Sequence, residues 1–328
     1  MPPESSKALF VPNINGRKFA RLRESLYFCS SIANRGTMIQ QPQLDYYDMG
    51  TGVVAFSSTR HGGCSKGSYE AFNINRYCGD KEEDILRNRL ALCQTLGIKD
   101  DCLVMPHQVH LTKAATIDEA FFSRSADEQR DVLEGVDALM TNLEGVCIGV
   151  STADCIPVLL YDPERKAVCA IHAGWRGTVK RIVQKAVEVM TATYCTQPQQ
   201  LVAQIGPGIH LDSFEVGDEV YEAFANEGFE MDLISKRYPQ HDGESDFSGF
   251  HSALLPSKWH IDLPECNRLQ LLSAGVLPNA IKVSPICTFQ QSADYFSARR
   301  LGINSGRIFT GIIIFHRKSK NQSRSQPL

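Results

Sequence analysis

The chain has 328 residues, 43% of them apolar and 22% charged, with a formal net charge of -3. This is globular composition, enough for one large core or two small ones, and it offers no basic field for nucleic acid. No apolar run approaches the roughly 20 residues that span a bilayer, so a membrane helix is not expected. The eleven cysteines are odd in number and form no CxxC pair, the pattern of a reduced cytoplasmic protein rather than a disulfide framework.

Residues 1–37 stand apart. Lys18, Arg21 and Arg23 precede a weakly apolar stretch, Leu26 to Ile32, which Ser30 and Ser31 interrupt, so an export signal is disfavoured. Met38 is expected to be the true start, with 1–37 an upstream extension or disordered arm. The polar tail 318–328 is expected to fray.

Val53 to Ser57 reads as a strand, followed by the glycine-rich run Thr59-Arg60-His61-Gly62-Gly63-Cys64-Ser65-Lys66-Gly67, which lacks Walker or Rossmann spacing. Gly62-Gly63 permits close backbone approach to a ligand and Arg60 can pair with an anion; the plainer reading is a tight surface turn. Asp80 to Leu96 reads as an amphipathic helix closed by Gly97, with Ile85, Leu86, Leu90, Leu92 and Cys93 inward. Val104 leads as a strand into His107-Gln108-Val109-His110, where alternation sets His110 opposite Val109. The acidic connection from Asp118 to Glu134 is expected to hold a helix.

Further on, Thr178 to Tyr194 reads as one helix with Thr178 as N-cap and a stripe of Val179, Ile182, Val183, Ala186, Val187 and Met190. Leu201 to Gly206 and Ile281 to Val283 read as strands, and Ile308 to Phe315 as the last one. Asp218 to Glu227 and Asp262 to Ala274 read as helices, and 232–250 as an irregular loop. No repeat or clean linker divides the chain. The expected class is α+β, with antiparallel and mixed sheets and helices packed outside.

Ile156 to Tyr161 and Ala167 to Ile171 are apolar runs of strand length, with Asp162-Pro163-Glu164-Arg165 between them as a four-residue turn. That register pairs Tyr161 with Lys166 and sets Cys155 opposite His172, their Cβ atoms roughly 4.5–5.5 Å apart. Pro157 lacks an amide donor, so its strand is expected at an edge or to start late. An opposed Cys and His suit two ligands of one metal, or a thiol–imidazole dyad; a one-residue slip would part them. If His110 converges from elsewhere in the fold, one thiol and two imidazoles make a three-ligand site with an open position, as in catalytic zinc. The plainer reading is a buried cysteine in an apolar strand and a structural histidine at its end. The spacing fits no familiar zinc finger.

An ordered set of motifs then carries a likeness. It comprises Thr59-Arg60-His61-Gly62-Gly63 with Ser65 and Gly67, Phe72-Asn73, Gln108-Val109-His110, and Ala153-Asp154-Cys155-Ile156-Pro157. It continues with His172-Ala173-Gly174-Trp175-Arg176-Gly177, Ile205-Gly206-Pro207, Phe214-Glu215-Val216-Gly217 and Phe296-Ser297-Ala298-Arg299-Arg300. Together these resemble the laccase-domain family, grouped as multifunctional purine nucleoside phosphorylases and adenosine deaminases. The match runs roughly from Asp48 to Phe315; each motif is weak alone and their order is specific.

The resemblance implies a single domain over 38–317, with a two-sheet mixed and antiparallel core between outer helices in α/β/β/α layers. It implies His110, Cys155 and His172 as ligands of a catalytic zinc, with copper able to substitute. Two departures stand out: Leu111 follows the first metal histidine where the family usually has glycine, and Gly208 stands where many members have cysteine.

The implied activities are phosphorolysis of adenosine, inosine, guanosine and methylthioadenosine, and deamination of adenosine to inosine. Purine nucleosides and phosphate are the expected partners, and a monomer or homodimer the expected assembly. Asp154, next to Cys155, is the candidate proton shuttle or orienting group. Arg60 and Arg299 are the candidates for phosphate with Arg300 in reserve, and Asn73 and Gln108 for hydrogen bonds to base or sugar. Competing readings are a cysteine hydrolase in which His172 activates Cys155, a peptidoglycan-editing hydrolase and a copper-dependent polyphenol oxidase. A non-catalytic zinc-stabilised binding protein would need a fourth ligand that the motifs do not supply.

Overall fold

The computed structural model describes residues 39–239 and 257–315. The expectations for 1–37, for 240–250 and for the tail 318–328 lie outside the described residues. The strands in chain order are β1 (Leu44–Tyr47), β2 (Val53–Ser58), β3 (Leu103–Val104), β4 (Ala114–Thr116), β5 (Ala138–Thr141), β6 (Cys147–Thr152) and β7 (Ile156–Asp162). They continue as β8 (Ala167–Ala173), β9 (Val202–Ile205), β10 (Glu215–Val216), β11 (Ser235–Pro239), β12 (Ser257–Ile261), β13 (Ile281–Val283) and β14 (Ile308–Ile314). They form a five-stranded sheet, β1-β2-β14-β6-β3, a six-stranded sheet, β13-β9-β7-β8-β5-β4, and a small sheet, β10-β12-β11. The pairs β3–β6, β4–β5 and β9–β13 are parallel and the others antiparallel, so both large sheets are mixed.

The two large sheets stack face to face. Ile148, Val150 and Ile312 of the first meet Leu139, Leu159 and Val168 of the second. The opposite face of the six-stranded sheet, with Val158, Leu160, Cys169 and Ile171, is covered by the helices Ile182–Tyr194 and Leu263–Ser273. Phe56, Phe309 and Ile313 on the outer face of the five-stranded sheet pack on Leu92 and Cys93 of the helix Glu82–Leu96. The expected α/β/β/α layering is therefore present. Every residue of β7 and β8 is buried, because helices cover one face and a sheet the other. That is why both read as continuous apolar runs instead of alternating ones. Each large side chain so buried contributes about 1.5–3 kcal/mol.

Several local expectations are corrected. The hairpin turn is shifted by one position and the register therefore by two: Asp162 pairs with Ala167, and His172 lies opposite Pro157 rather than Cys155. A shift of two preserves the face, so Cys155, just before β7, still lies on the His172 side. Pro157 is not at an edge, since β7 sits between β8 and β9. It is tolerated because the β9 ladder ends there, with the Pro157 carbonyl accepting the Gly206 amide at 2.8 Å.

The helix expected from Thr178 to Tyr194 is two helices, Trp175–Val179 and Ile182–Tyr194, divided at Arg181, whose φ is 61°. Thr178 is a buried residue of the first, not an N-cap, and the predicted stripe is buried throughout. Leu86 and Leu90 are only half-buried, while Asn88 is buried. Its amide holds the glycine-rich loop through the Cys64 N–H, the Ser65 hydroxyl and the Asn73 carbonyl. Residues 118–134 hold two short helices, and 232–239, expected as loop, contains β11. Among the described residues no helix is long and apolar enough to cross a membrane.

Candidate functional site

A cleft of about 660 Å³ opens where β6 and β8 end and β7 begins. Its walls come from three segments, 75–78, 107–110 and 151–155, together with His172, Trp175 and the short helix that carries Arg299. Ser151 ties the three segments together. The Gln108 side chain brackets its backbone, donating to the carbonyl and accepting from the amide, both at 2.8 Å. The Asn75 amide donates to the Ser151 hydroxyl at 2.6 Å. Pairing of β6 with β3 ends at Ile148, and beyond it the Gln108 side-chain amide takes up that edge at Ser151.

His110, Cys155 and His172 converge on this wall, with their ligand atoms all within 4.8 Å of one another. His172 is delivered by β8, and Cys155 by the bend between β6 and β7. His110 arrives differently from the alternation expected. β3 stops at Val104, and His110 adopts a left-handed backbone with φ 62°. Its ring meets that of His172 edge-on, the centroids 4.7 Å apart. Gly174 makes room for the group, because a Cβ there would lie 2.8 Å from His110 Cδ2 and 3.1 Å from Cys155 Sγ.

Asp137 is the site residue that the sequence reading missed. It is fully buried at the head of β5, and its carboxylate accepts His172 Nδ1–H at 2.7 Å. It also accepts the amides of His110 at 3.0 Å and Leu111 at 2.8 Å. One carboxylate therefore orients both histidines, leaving Nε2 of His172 for the cleft. The only signal in the sequence is a lone acid entering the apolar run Ala138-Leu139-Met140.

Burial alone would raise the Cys155 thiol, but the His172 ring and hydrogen bonds with both histidines outweigh it and bring it down to about 6. Burial acts to lower His172, while the Cys155 sulfur and Asp137 raise it to about 9. Burial would likewise raise Asp137; its bonds to His172 and the amides hold it below the usual carboxylate range. The group is a soft thiolate and two imidazoles with a carboxylate behind one of them. That donor set fits Zn²⁺ or copper.

The other predicted residues divide. Asp154 lines the cleft with φ 82°. Its carboxylate accepts the Thr288 hydroxyl at 2.8 Å and the Arg299 amide at 2.7 Å, which ties the Cys155 bend to the helix Ala298–Leu301. Arg299 lines the cleft, with one guanidinium N–H on the Glu215 carbonyl at 2.9 Å. Gln108 lines it too, though both ends of its amide are engaged with Ser151.

Arg60 and Asn73 are not among the lining residues. The Arg60 guanidinium donates to the carbonyls of Glu70 and Ser292 and lies over the Phe296 ring. Asn73 is buried, bonded to Asp80 and to the Arg307 amide. Thr152 also lines the cleft, and its buried hydroxyl has no hydrogen-bond partner among the described residues.

The departures from the family pattern are also placed. Leu111 is an exposed apolar side chain next to His110. A Cβ at Gly208 would sit 2.3 Å from Ile156 Cδ1, so Ile156 occupies the space a larger residue would need.

Fold and site together define a layered α+β protein built around a thiol and two imidazoles at the mouth of a cleft. The chain belongs to the multi-copper polyphenol oxidoreductase laccase family, whose model matches residues 54–315. It is 43% identical over 284 residues, 87% of this chain and 98% of the other, to a Bacteroides thetaiotaomicron protein named purine nucleoside phosphorylase. It is 44% identical over 275 residues, 84% of this chain and 99% of the other, to adenosine deaminase RL5 of an unknown prokaryotic organism. The crystal structure of YlmD from Geobacillus stearothermophilus matches with a TM-score of 0.70 at 29% identity, covering 84% of this chain and all of that one.

Proposed function

We propose that this chain is a zinc-dependent purine nucleoside enzyme, a phosphorylase for adenosine, inosine, guanosine and methylthioadenosine that also deaminates adenosine. The observation that carries the reading is the convergence of His110, Cys155 and His172 on a nucleoside-sized cleft. Support comes from two relatives above 40% identity named for these two activities. His110, Cys155 and His172 would hold the zinc, which when bound supplies Lewis-acid polarisation and positive charge.

The protein's own groups perform the rest. In deamination the oxygen of water bonds to C6 of the purine and ammonia leaves, so a proton must travel between them. Asp154 is the one carboxylate among the described cleft residues, and each of its oxygens keeps a lone pair beyond the donor it already accepts. We assign it the proton. In phosphorolysis a phosphate oxygen bonds to C1′ of the ribose as the bond to the base breaks. We assign the phosphate to Arg299, whose guanidinium has donors beyond the one on the Glu215 carbonyl.

Arg60, spent on backbone carbonyls, is reassigned to supporting its loop. Arg299→Ala is expected to raise the KM for phosphate by about tenfold or more, the loss of one charge-assisted contact. Arg60→Ala is expected to leave that KM unchanged and to lower the thermal midpoint. Initial rates against phosphate and a melting curve for each variant decide it, and the opposite pattern would restore Arg60 as the anion site.

The overall test is chromatography of products from zinc-loaded protein with adenosine. Inosine is expected without phosphate, and adenine with ribose 1-phosphate when it is present. No turnover of any purine nucleoside would overturn the reading. A cysteine-nucleophile reading is kept because the Cys155 thiol is brought down to about 6 beside His172. We also place the protein in a reducing compartment, the cytoplasm, since the ten described cysteines are all free thiols.

A further inference from the structure

Among the described residues, three aromatic rings other than histidine line the cleft: Tyr77, Trp175 and Phe214. Phe214 is buried, with the Arg299 guanidinium over its ring at 5.5 Å. Trp175 is half-buried, and the guanidinium of Arg176 covers its ring at 4.3 Å. Tyr77 differs. It is 47% exposed, and its ring stacks on the His107 imidazole with centroids 4.1 Å apart and planes 22° from parallel. No second ring or cation covers its other face among the described residues.

The stack is held from behind. Glu134 binds His107 Nδ1 at 2.7 and 2.9 Å, and the His107 amide donates to the Leu133 carbonyl at 3.0 Å. The Tyr77 amide donates to Asn75 Oδ1 at 2.6 Å, and Asn75 is tied in turn to Ser151. Ser151 lies at the end of the strand from which the Cys155 bend departs. A flat, exposed ring is thus fixed relative to the thiol by two hydrogen bonds and a stretch of backbone, the rigid support that a recognition surface needs.

We infer that Tyr77, braced by His107 and Glu134, is the platform on which the purine base stacks, an inference that rests on the purine-nucleoside reading above. Every purine presents a π face, so stacking secures affinity without choosing among bases. One platform then serves adenosine, inosine and guanosine alike, and discrimination is left to the hydrogen-bonding groups of the cleft. His107 and Glu134 act through Tyr77 and are positioning residues.

The test is steady-state phosphorolysis of adenosine, inosine and guanosine by the wild-type chain and its Tyr77→Phe and Tyr77→Leu variants. It is paired with equilibrium dialysis of radiolabelled inosine without phosphate. Tyr77→Phe keeps the ring and is expected to raise nucleoside KM far less than Tyr77→Leu; an equal rise in both would overturn the platform. Tyr77→Leu is expected to raise KM for all three nucleosides, and Kd for inosine, by about ten- to a hundredfold, with the KM for phosphate unchanged.

Unchanged nucleoside KM and Kd in Tyr77→Leu would overturn the platform and leave the purine reading standing. A rise in phosphate KM of equal size would also overturn it, as the mark of a merely structural role. A wild-type chain that neither binds nor turns over any purine nucleoside would overturn both. If Tyr77→Leu does not fold, His107→Ala removes the brace and leaves the Tyr77 ring. It is expected to weaken inosine binding about two- to tenfold, and no change there would overturn the inference.

Discussion

Cys155→Ala is expected to abolish turnover and to strip the protein of metal. Sulfur is the softest donor in the group, and without it two imidazoles remain, one of them exposed. Loss of a supporting partner costs a metal site roughly 10–100-fold in affinity, and loss of a ligand atom itself costs more. The measurement is metal per chain after dialysis against a graded chelator, followed by rates with adenosine and phosphate. The wild type carried through the same chelation is the control that separates two mechanisms. If the metal-stripped wild type is inactive and regains activity with zinc, Cys155 acts as a ligand. If it keeps full activity while Cys155→Ala has none, Cys155 is a nucleophile and the zinc reading falls.

Asp137→Ala is expected to damage both stability and metal affinity. The Asp137 carboxylate is fully buried, and its removal leaves His172 Nδ1 and the amides of His110 and Leu111 without their acceptor. Breaking a buried charge pair by removing one partner costs about 3–5 kcal/mol. Urea unfolding of the metal-free protein reads that loss directly, and chelator competition reads the expected 10–100-fold fall in affinity. Asp137→Asn retains one acceptor oxygen and is expected to be milder in both. A metal-free Asp137→Ala protein as stable as the wild type would show that the carboxylate orients the histidines without holding the fold.

Much of the candidate site was legible along the chain because it lies in short contiguous motifs. The Cys155 and His172 pair could be read from one hairpin, and the error in its register did no harm, since a shift of two positions keeps the face. Arg60 misled for the opposite reason. A guanidinium beside two glycines looks like an anion site until the carbonyls of Glu70 and Ser292, the second more than 200 residues away in sequence, come into view. Asp137 escaped because one acid before an apolar run has no local signature; its meaning comes from His172 on the neighbouring strand and from the turn at His110.

By itself the sequence determined the longer helices and the strands β2, β7, β8, β9, β13 and β14, through apolar runs and stripes whose period is local. It also determined the identity of the thiol and imidazoles, through the ordered motifs. Only the tertiary structure decided that His110 reaches the other two. That required a left-handed residue held by Asp137, a glycine at 174 small enough to let the rings close, and a Ser151 hub joining three distant segments. Only the packing showed that Tyr77 offers a ring to the cleft while Asn73 does not, because exposure depends on what the rest of the chain places alongside. Side-chain type is written residue by residue; convergence and exposure depend on contacts between residues far apart in the chain.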